Sequence, residues 1–198
     1  MTTIRRATAA FAGAPQFAIR AERASDVAAR EALLDASFGA NRRARTCHRL
    51  REGRAPAEGL AFSAVQRGHL VGTVRLWHVS AGGIPALVLG PLAVESGCRN
   101  LGIGAALVTH ALAAAKARGQ GAVILLGDAP YYKRFGFSAQ KTGELALPGP
   151  FERERLLGVE LREGALDGAW GMIVPTGMTP RRSRPVAGKI RQLAPQLA

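Results

Sequence analysis

Residues 87–137 have the sequence LVLGPLAVESGCRNLGIGAALVTHALAAAKARGQGAVILLGDAPYYKRFGF, and this stretch decides the fold. Leu87–Val94 is an apolar run of strand length that Gly90-Pro91 interrupts. Ala105 to Arg118 consists mostly of alanine and leucine, which favours a helix, and glycines follow it. Ala122–Leu126 is a second short apolar run, followed by a short aromatic segment. The stretch therefore predicts a strand, a glycine-rich turn, a helix, a strand and a short helix.

The turn between the first strand and the helix has the sequence Arg99-Asn100-Leu101-Gly102-Ile103-Gly104. The first N–H groups of a helix lack an intrahelical partner, and the helix macrodipole adds partial positive charge there. Glycines allow positive φ and let a ligand approach the backbone closely, and Arg99 supplies a full positive charge. Turns of this kind bind phosphate groups. The sequence therefore predicts a diphosphate-bearing ligand.

Two other glycine-rich phosphate motifs fit this turn less well. The dinucleotide fingerprint G-x-G-x-x-G requires glycine or alanine at position 107, where this chain has Leu107. The P-loop requires Gly-Lys-Ser or Gly-Lys-Thr, and no such triplet follows Gly104. The remaining pattern, R-x-x-G-x-G, resembles the acetyl-CoA pyrophosphate motif of the GNAT superfamily of N-acetyltransferases. A helix start with two incidental glycines is the alternative interpretation.

A second motif strengthens this resemblance. The segment from Tyr132 to Phe137, YKRFGF, is similar to the Y-x-k-x-G-F signature that follows the next strand in this superfamily. The spacing between Gly104 and Tyr132 accommodates one helix, one turn and one strand, as the family's architecture requires. The longer form GDAPYYKRFGF is similar to one bacterial branch of predicted GNAT acetyltransferases.

The segment before the turn also resembles the family. Leu92-Ala93-Val94 with Arg99 is similar to the family's V-x-P-x-x-[QR] segment, although Ser96 stands where proline is usual. The resemblance extends over about residues 17–175. On these motifs the chain is identified as a member of the GNAT superfamily.

The resemblance implies an α/β (α+β) fold in which helices flank a central mixed, mostly antiparallel sheet, splayed at the acetyl-CoA site. It implies an acyltransferase that passes the acetyl group of acetyl-CoA directly to a primary amine of a small molecule or polypeptide, without a metal. The implied proton donor to the departing thiolate is Tyr132. The implied acetyl-CoA-binding residues are Leu92, Ala93, Val94, Arg99, Asn100, Leu101, Gly102, Gly104 and Ala105.

The sequence leaves the identity of the general base open. Glu95 ends the central strand near the expected meeting point of amine and thioester, and it is the first candidate. Some family members hold a catalytic glutamate earlier on that strand, where this chain has Val88. A water relay or Asp128 is the alternative, although Asp128 is also suited to cap the short helix. Tyr131 is expected in the core, and a merely packed Tyr132 is the alternative to an acid.

Length and composition predict one domain with two tails. The chain has 198 residues, enough for a domain with a core. We predict an N-terminal tail over residues 1–15, the acetyltransferase domain over 16–175 and a basic C-terminal tail over 176–198. No apolar run approaches the ~20 residues that span a membrane. Residues 1–14 lack the continuous apolar segment of a secretory signal, while the absence of acids there leaves an organelle presequence open.

Cysteine usage indicates a reducing compartment. Cys47 and Cys98 are the two cysteines, and they form neither a disulfide framework nor a metal-ligand spacing. This pattern predicts a cytoplasmic protein without a metal site. Direct transfer does not require Cys98 as a nucleophile.

The formal net charge of +13 is concentrated in two arginine-rich segments, residues 42–54 and 181–191. Such surfaces attract phosphate-rich partners and acidic substrates. The arginines are not interleaved with aromatic residues, so nucleic-acid binding is not favoured. The first segment favours an acceptor with carboxylates or phosphates, and a solvated helix face is its alternative. A non-catalytic CoA-binding sensor, a nucleic-acid-binding protein and a homodimer stay open.

The rest of the chain supplies weaker local signals. They predict a basic helix over Asn41–Arg51 and a hairpin turn at Arg67-Gly68 between two antiparallel strands. The remaining predicted elements are a strand over Phe17–Ala21, a helix from Ser25 to Ser37, a loop over Gly143–Pro150, and strands over Val159–Leu161 and Gly171–Val174.

Overall fold

The computed structural model describes residues 17–179. The predicted N-terminal tail and nearly all of the predicted C-terminal tail lie outside this range. The strands are β1 (Ala18–Ala21), β2 (Ala61–Gln66), β3 (His69–Ala81), β4 (Ile84–Leu89), β5 (Ala93–Val94), β6 (Ala122–Leu126), β7 (Leu145–Ala146), β8 (Leu156–Glu160) and β9 (Gly171–Pro175). The helices are α1 (Val27–Phe38), α2 (Ile103–Ala117) and α3 (Ala129–Tyr132).

These strands form a mixed sheet with the order β1-β2-β3-β4-β6-β8. Strand β3 also pairs with β5 and β9, and β9 pairs with β7. The β4–β6 and β7–β9 pairs are parallel, and the other pairs are antiparallel. The predicted fold class, a mostly antiparallel mixed sheet flanked by helices, is confirmed.

The hairpin between β2 and β3 forms at the predicted turn. Arg67 has a φ of 50° and Gly68 a φ of 83°, and a two-residue type I′ turn requires positive φ at both positions. The turn pairs Gln66 with His69. This register fixes β3, the strand that also pairs with β4, β5 and β9.

Helix α2 packs against one face of β3 through residues on a single helical face. Its buried positions are Ile103, Leu107, Val108, Ala111 and Ala115, spaced as an amphipathic helix requires. A Cβ on Gly72 of β3 would lie 3.0 Å from side-chain carbons of both Ile103 and Leu107. Gly72 therefore allows the close approach that positions the N-terminus of α2.

Helix α1 is held against the opposite face of β3 by buried ion pairs. Arg30 of α1 pairs with Glu22 at 2.5 Å and with Glu31 at 2.7 Å. Nε of Arg75 on β3 donates to Glu22 at 2.7 Å. Removing one partner of such a buried pair typically costs about 3–5 kcal/mol, because it leaves the other charge uncompensated.

The predicted basic helix over Asn41–Arg51 is wrong. The chain forms two short 3₁₀ turns there, Ala40–Ala44 and Thr46–His48. Tertiary contacts outweigh the local preference: the hydroxyl of Thr46 donates to the Pro150 carbonyl at 2.6 Å, and Arg49 donates to that of Pro148. The segment follows the distant loop over residues 148–150 and becomes one wall of a cavity.

Smaller differences concern the ends of elements. Helix α2 begins at Ile103 instead of Ala105, strand β8 lies earlier than predicted, and the loop over residues 143–150 contains the short strand β7. Beyond β9, Thr176 and Gly177 still donate to the carbonyl of His78. No helix within residues 17–179 is long and apolar enough to cross a membrane.

Candidate functional site

The turn before α2 presents backbone N–H groups without partners. Asn100 has a φ of 69° and Gly102 a φ of 76°, so the backbone is left-handed at both positions. Gly102 is the N-cap of α2 and has no side-chain cap. None of the N–H groups of residues 100–105 finds an acceptor within residues 17–179. Together with the helix dipole, they can bind an anion.

The two glycines of the turn have different tasks. A Cβ on Gly102 would meet no atom within 4 Å, but its positive φ disfavours other residues. Gly104 lies inside the helix, and its Cβ would lie 3.0 Å from Oη of Tyr131 and 3.6 Å from Cγ2 of Val94. The surface above Gly102 is open, whereas Gly104 is needed for the close approach of a side chain.

Tyr131 is not the core residue that we expected. It is half-buried, its hydroxyl lies beside Gly104, and Arg134 packs over its ring at 4.8 Å. Its ring centroid is 4.9 Å from that of Tyr132. Tyr131 therefore connects the turn before α2 with the second tyrosine.

The central strand leaves its neighbour at the Gly90-Pro91 kink. Strand β4 pairs with β6 only at Leu87 and Val88, and after a cis Gly90-Pro91 bond the chain continues as β5, which pairs with β3. The kink is held from both sides, since Gly90 N–H donates to the Arg75 carbonyl and Trp77 Nε1 donates to the Gly90 carbonyl at 2.6 Å. The sheet is splayed as the fold prediction requires.

This divergence leaves one edge of β5 available. Among residues 17–179, β5 has β3 as its strand partner, through the pairs Thr73–Ala93 and Gly72–Val94. Ala93 itself is buried. A strand edge of this kind can hydrogen-bond an extended ligand as an additional strand would.

A cavity of about 950 Å³ lies in the gap between the diverging strands. Of the predicted site residues, Leu92 and Tyr132 line it, while the turn over residues 99–105 lies outside its lining. Its other walls come from distant segments, namely α1, the 3₁₀ turns over residues 40–48, strand β3, the end of β6 and the loop over residues 150–155. Side chains from several parts of the chain thus enclose it.

Tyr132 is seated on a glycine at the end of β6. A Cβ on Gly127 would lie 2.4 Å from Cε2 of Tyr132, so this packing requires glycine. Burial, aided by the neighbouring Tyr131 and Asp128, raises the pKa of Tyr132 to about 12. The phenol is therefore protonated at neutral pH and can only donate a proton there. Sequence analysis missed the role of Gly127, although its place directly after a strand was a signal.

The two candidate carboxylates lie in different places. Asp128 lines the cavity with Tyr132 and takes the N-cap position of α3, but its side chain makes no capping hydrogen bond. Glu95 lines a separate, smaller depression with Gln66 and Cys98, and its Oε2 is 4.0 Å from the Cys98 sulfur. The structure brings Asp128 to Tyr132 and does not bring Glu95 into the cavity.

Charged groups dominate the cavity wall that residues 31–52 form. Burial acts to raise the pKa of Glu31, but hydrogen bonds from Arg42 and Arg30 outweigh it and lower the pKa to about 2. Burial also raises the pKa of the Cys47 thiol, which makes it a poor nucleophile. Residues 17–179 contain no group of three or more His, Cys, Asp or Glu side chains that could hold a metal ion.

Comparisons with known proteins agree with this geometry. Residues 57–139 match the family model described as an acetyltransferase (GNAT) domain. The chain is 31% identical over 157 residues to the uncharacterized N-acetyltransferase YhbS of Escherichia coli K12, an alignment that covers 78% of this chain and 93% of that protein.

Two solved structures extend the similarity. One is Escherichia coli YhbS in complex with CoA, with 29% identity and a TM-score of 0.71 over 82% of this chain and 91% of that one. The other is a GNAT family acetyltransferase from Brucella melitensis in complex with acetyl-CoA, with 26% identity and a TM-score of 0.55 over 78% and 100% of the two chains.

Proposed function

The chain belongs to the GNAT acetyltransferase family and is an acyltransferase, and on this premise we propose that it transfers the acetyl group of acetyl-CoA to a primary amine of a small molecule or polypeptide. One observation carries the proposal. The anion-binding turn and the protonated Tyr132 are joined by Tyr131, whose hydroxyl lies beside Gly104 and whose ring contacts Tyr132. A phosphate site and a proton donor therefore lie along one surface.

The turn and strand β5 would hold acetyl-CoA. The diphosphate would accept hydrogen bonds from the N–H groups of the turn, with Arg99 adding charge; this part of the site comprises Arg99, Asn100, Leu101, Gly102, Gly104 and Ala105. The pantetheine arm would pair with the backbone edge of Leu92, Ala93 and Val94. The similar proteins solved with CoA and acetyl-CoA support this assignment.

Tyr132 would assist the departure of CoA. The amine nitrogen attacks the thioester carbonyl carbon, the carbon–sulfur bond breaks, and the thiolate takes the phenolic proton. The raised pKa keeps that proton available at every physiological pH, although it makes Tyr132 a weaker acid than an ordinary tyrosine. A hydrogen bond from the Tyr132 hydroxyl to the negative charge that develops on sulfur would lower the barrier.

The proton that the amine loses has two candidate acceptors. Glu95 is the candidate from the sequence, and Asp128 is the carboxylate that lines the cavity with Tyr132. Replacing each by its amide separates them, because removal of the base lowers kcat and abolishes the low-pH limb of the profile. An unchanged profile in both Glu95→Gln and Asp128→Asn would leave a water relay.

Both cysteines are free thiols, which supports a reducing compartment such as the cytoplasm as the place of this reaction.

The first test of the proposed function is ligand-dependent stability. CoA at 100 times its dissociation constant should stabilise the fold by about 2.7 kcal/mol, and thermal melting measures this. Pantetheine, which lacks the diphosphate, is the matched control and should shift the melting temperature far less. Equal shifts for the two ligands would contradict binding at the turn.

The second test is turnover. Acetyl-CoA is supplied with a panel of primary amines, and release of the CoA thiol is measured. We expect thiol release that depends on the amine and on Tyr132. A protein that binds CoA but acetylates no amine would be a CoA-binding sensor.

A further inference from the structure

Four of the six arginines that line the cavity have carboxylate partners, namely Arg75, Arg42, Arg43 and Arg155, the last of which pairs with Glu152 at 3.5 Å. Arg75 pairs with Glu22, and Arg42 pairs with Glu31 at 2.5 Å and with Asp35 at 2.6 Å. Behind them, Arg30 holds Glu22 and Glu31 together. The exposed Arg43 approaches Glu31 at 3.7 Å. Glu22, Glu31 and Asp35 are therefore already paired with these other arginines.

Arg51 differs from these neighbours. It lines the same cavity, and its Nε donates to the Cys47 carbonyl at 3.1 Å. No carboxylate within residues 17–179 forms an ion pair with it. Burial first, with a further contribution from Arg42 and Arg75, lowers its pKa to about 10. The guanidinium is thus a charged, largely enclosed group without a counter-ion.

Arg51 is half-buried, and a cation that is partly removed from water without a counter-ion is costly, so proteins normally pair such groups. The Arg51 guanidinium does not lose its proton at physiological pH, because a pKa of about 10 still leaves it charged. With Nε engaged by Cys47, the two Nη groups are available, and a guanidinium suits two-oxygen anions.

The position of Arg51 links this charge to the reaction. Its Nη1 lies 3.9 Å from the place where a Cβ on Gly90 would stand, so it reaches the kink that opens the sheet. Leu92, assigned to the pantetheine arm, and Tyr132 line the same cavity. The other acids of the cavity are Glu31, which is committed to arginines, and Glu52, Asp128 and Glu152.

We propose that Arg51 binds a carboxylate or phosphate group of the acceptor, so that the substrate is an amine that carries an anionic group. This inference rests on the proposed acetyl transfer. Arg51 would then determine substrate specificity. It would hold the carboxylate or phosphate of the acceptor at the Gly90-Pro91 kink, while the amine of the same molecule reaches the thioester beside Tyr132.

The kinetic test compares matched amines with and without the anion. One series pairs ω-amino acids of increasing length with alkylamines of equal length, and a second pairs phosphoethanolamine with ethanolamine. The wild type should prefer the anionic member by kcat/KM, and the preferred series identifies carboxylate or phosphate. Arg51→Met should reduce this preference roughly 10²–10³-fold, which corresponds to about 2.7–4.1 kcal/mol, because it removes one partner of a hydrogen-bonded charge pair.

Two further variants control this experiment. Arg51→Lys keeps a charge without the fork and should restore part of the preference. Arg162→Met removes an exposed arginine that does not line the cavity, and it should leave the preference at the wild-type value. Equal preference in the wild type and Arg51→Met would overturn the assignment.

A second readout does not depend on turnover. Acetate and phosphate should raise the melting temperature of the wild type more than that of Arg51→Met, because binding at the turn is common to both proteins. Without added anions, Arg51→Met should melt at or above the wild-type temperature, whereas loss of a purely structural arginine would lower it. Equal anion shifts in the two proteins would contradict the site.

The two readouts separate this inference from the proposed function. Acetylation of neutral and anionic amines at equal rates would retain the acetyltransferase and overturn the role of Arg51. An Arg51-dependent anion shift without acetylation of any amine would retain the anion site and contradict acetyl transfer.

Discussion

The turn over residues 99–104 presents backbone groups to a ligand, whereas the cavity beside Tyr132 presents side chains. The turn offers backbone N–H groups from one continuous segment, and its geometry depends on the left-handed Asn100 and Gly102. The cavity offers side chains from segments that lie one hundred residues apart in the chain, such as those that contain Arg51 and Phe151. Hydrogen bonding by the N–H groups of the turn depends little on which side chains are present. Binding in the cavity depends directly on them.

This difference teaches where specificity lies. In the proposed function the backbone site recognises the diphosphate, which every acyl-CoA shares. A cavity enclosed by six arginines and four carboxylates can discriminate among acceptors, because each charge placed there favours or rejects a partner. Substitutions that affect one region and spare the other test this division.

The largest expected effect belongs to the cavity side. Tyr132→Phe keeps the ring and its packing on Gly127 but removes the phenolic proton, so kcat should fall roughly 10²–10⁴-fold. The affinity for acetyl-CoA should not change, because the turn is untouched. Steady-state kinetics and calorimetric titration measure the two quantities. If Tyr132→Phe lowered both kcat and the affinity for acetyl-CoA, the turn and the cavity would not act independently.

Tyr131→Phe is the matched partner of that substitution. Its hydroxyl lies beside Gly104, so we expect a modest loss of acetyl-CoA affinity with kcat retained. The opposite outcome, in which Tyr131→Phe abolishes turnover and Tyr132→Phe does not, would exchange the roles of the two tyrosines.

The next effect belongs to the turn. Gly102→Val places side-chain carbons where the surface is open to a diphosphate and strains a φ of 76°. Loss of two hydrogen bonds to a charged group, each worth about 1.5–3 kcal/mol, should weaken CoA binding at least ~10²-fold. Calorimetric titration measures the affinity.

Gly119→Val is the control, because Gly119 also has a positive φ, at 73°, and open space, but at the other end of α2. It should cost similar stability without affecting CoA. Gly104→Val should also weaken CoA binding, for a different reason. Its branches would displace the Tyr131 hydroxyl, since Gly104 has no positive φ to strain.

A smaller effect concerns the packing of the Tyr132 ring against Gly127. In Gly127→Ala the new methyl group would overlap the Tyr132 ring at 2.4 Å, so the ring must shift. Misplacement of a catalytic group by about 1 Å can cost up to ~10²-fold, and we expect a loss of kcat near tenfold with acetyl-CoA affinity retained. Gly143→Ala, where the nearest atom is 3.9 Å away, should be silent. Equal kcat in the two variants would show that the cavity tolerates a displaced tyrosine.

The last prediction is that the contribution of Tyr132 to kcat does not change with pH. Since burial raises the pKa of Tyr132 to about 12, the phenol stays protonated from pH 6 to 10. A proton donor loses activity as pH rises through its own pKa, so the ratio of wild-type to Tyr132→Phe kcat should be constant over this range. A ratio that falls with a midpoint near pH 10 would mean that Tyr132 is exposed to water.

Sequence patterns predicted the backbone side of the site well. The strand over Ala122–Leu126, the kink at Gly90-Pro91 and the turn before α2 all follow from local rules on apolar runs, proline and glycine. The resemblance to the family then supplied the ligand and Tyr132. Each of these features is set by residues that are neighbours in the chain.

The cavity side could not be predicted in the same way. The helix predicted over Asn41–Arg51 is replaced by turns because Thr46 and Arg49 bind carbonyls about one hundred residues away. The hydroxyl of Tyr131 lies beside Gly104 through tertiary packing alone. Whether Arg51 has a counter-ion depends on which carboxylates the neighbouring arginines have taken, and no local pattern contains that information.

The hydrogen bond from Trp77 to the Gly90 carbonyl makes the protein its own optical probe. Trp77 is 6% exposed at the kink, whereas Trp170, the other of the two tryptophans, is 73% exposed beside Gly82, in the turn between β3 and β4. In Trp170→Phe, all indole emission therefore comes from the hinge of the splayed strands. Ligands that enter the gap alter the surroundings of that one fluorophore, and their arrival and departure can be followed in real time without labels.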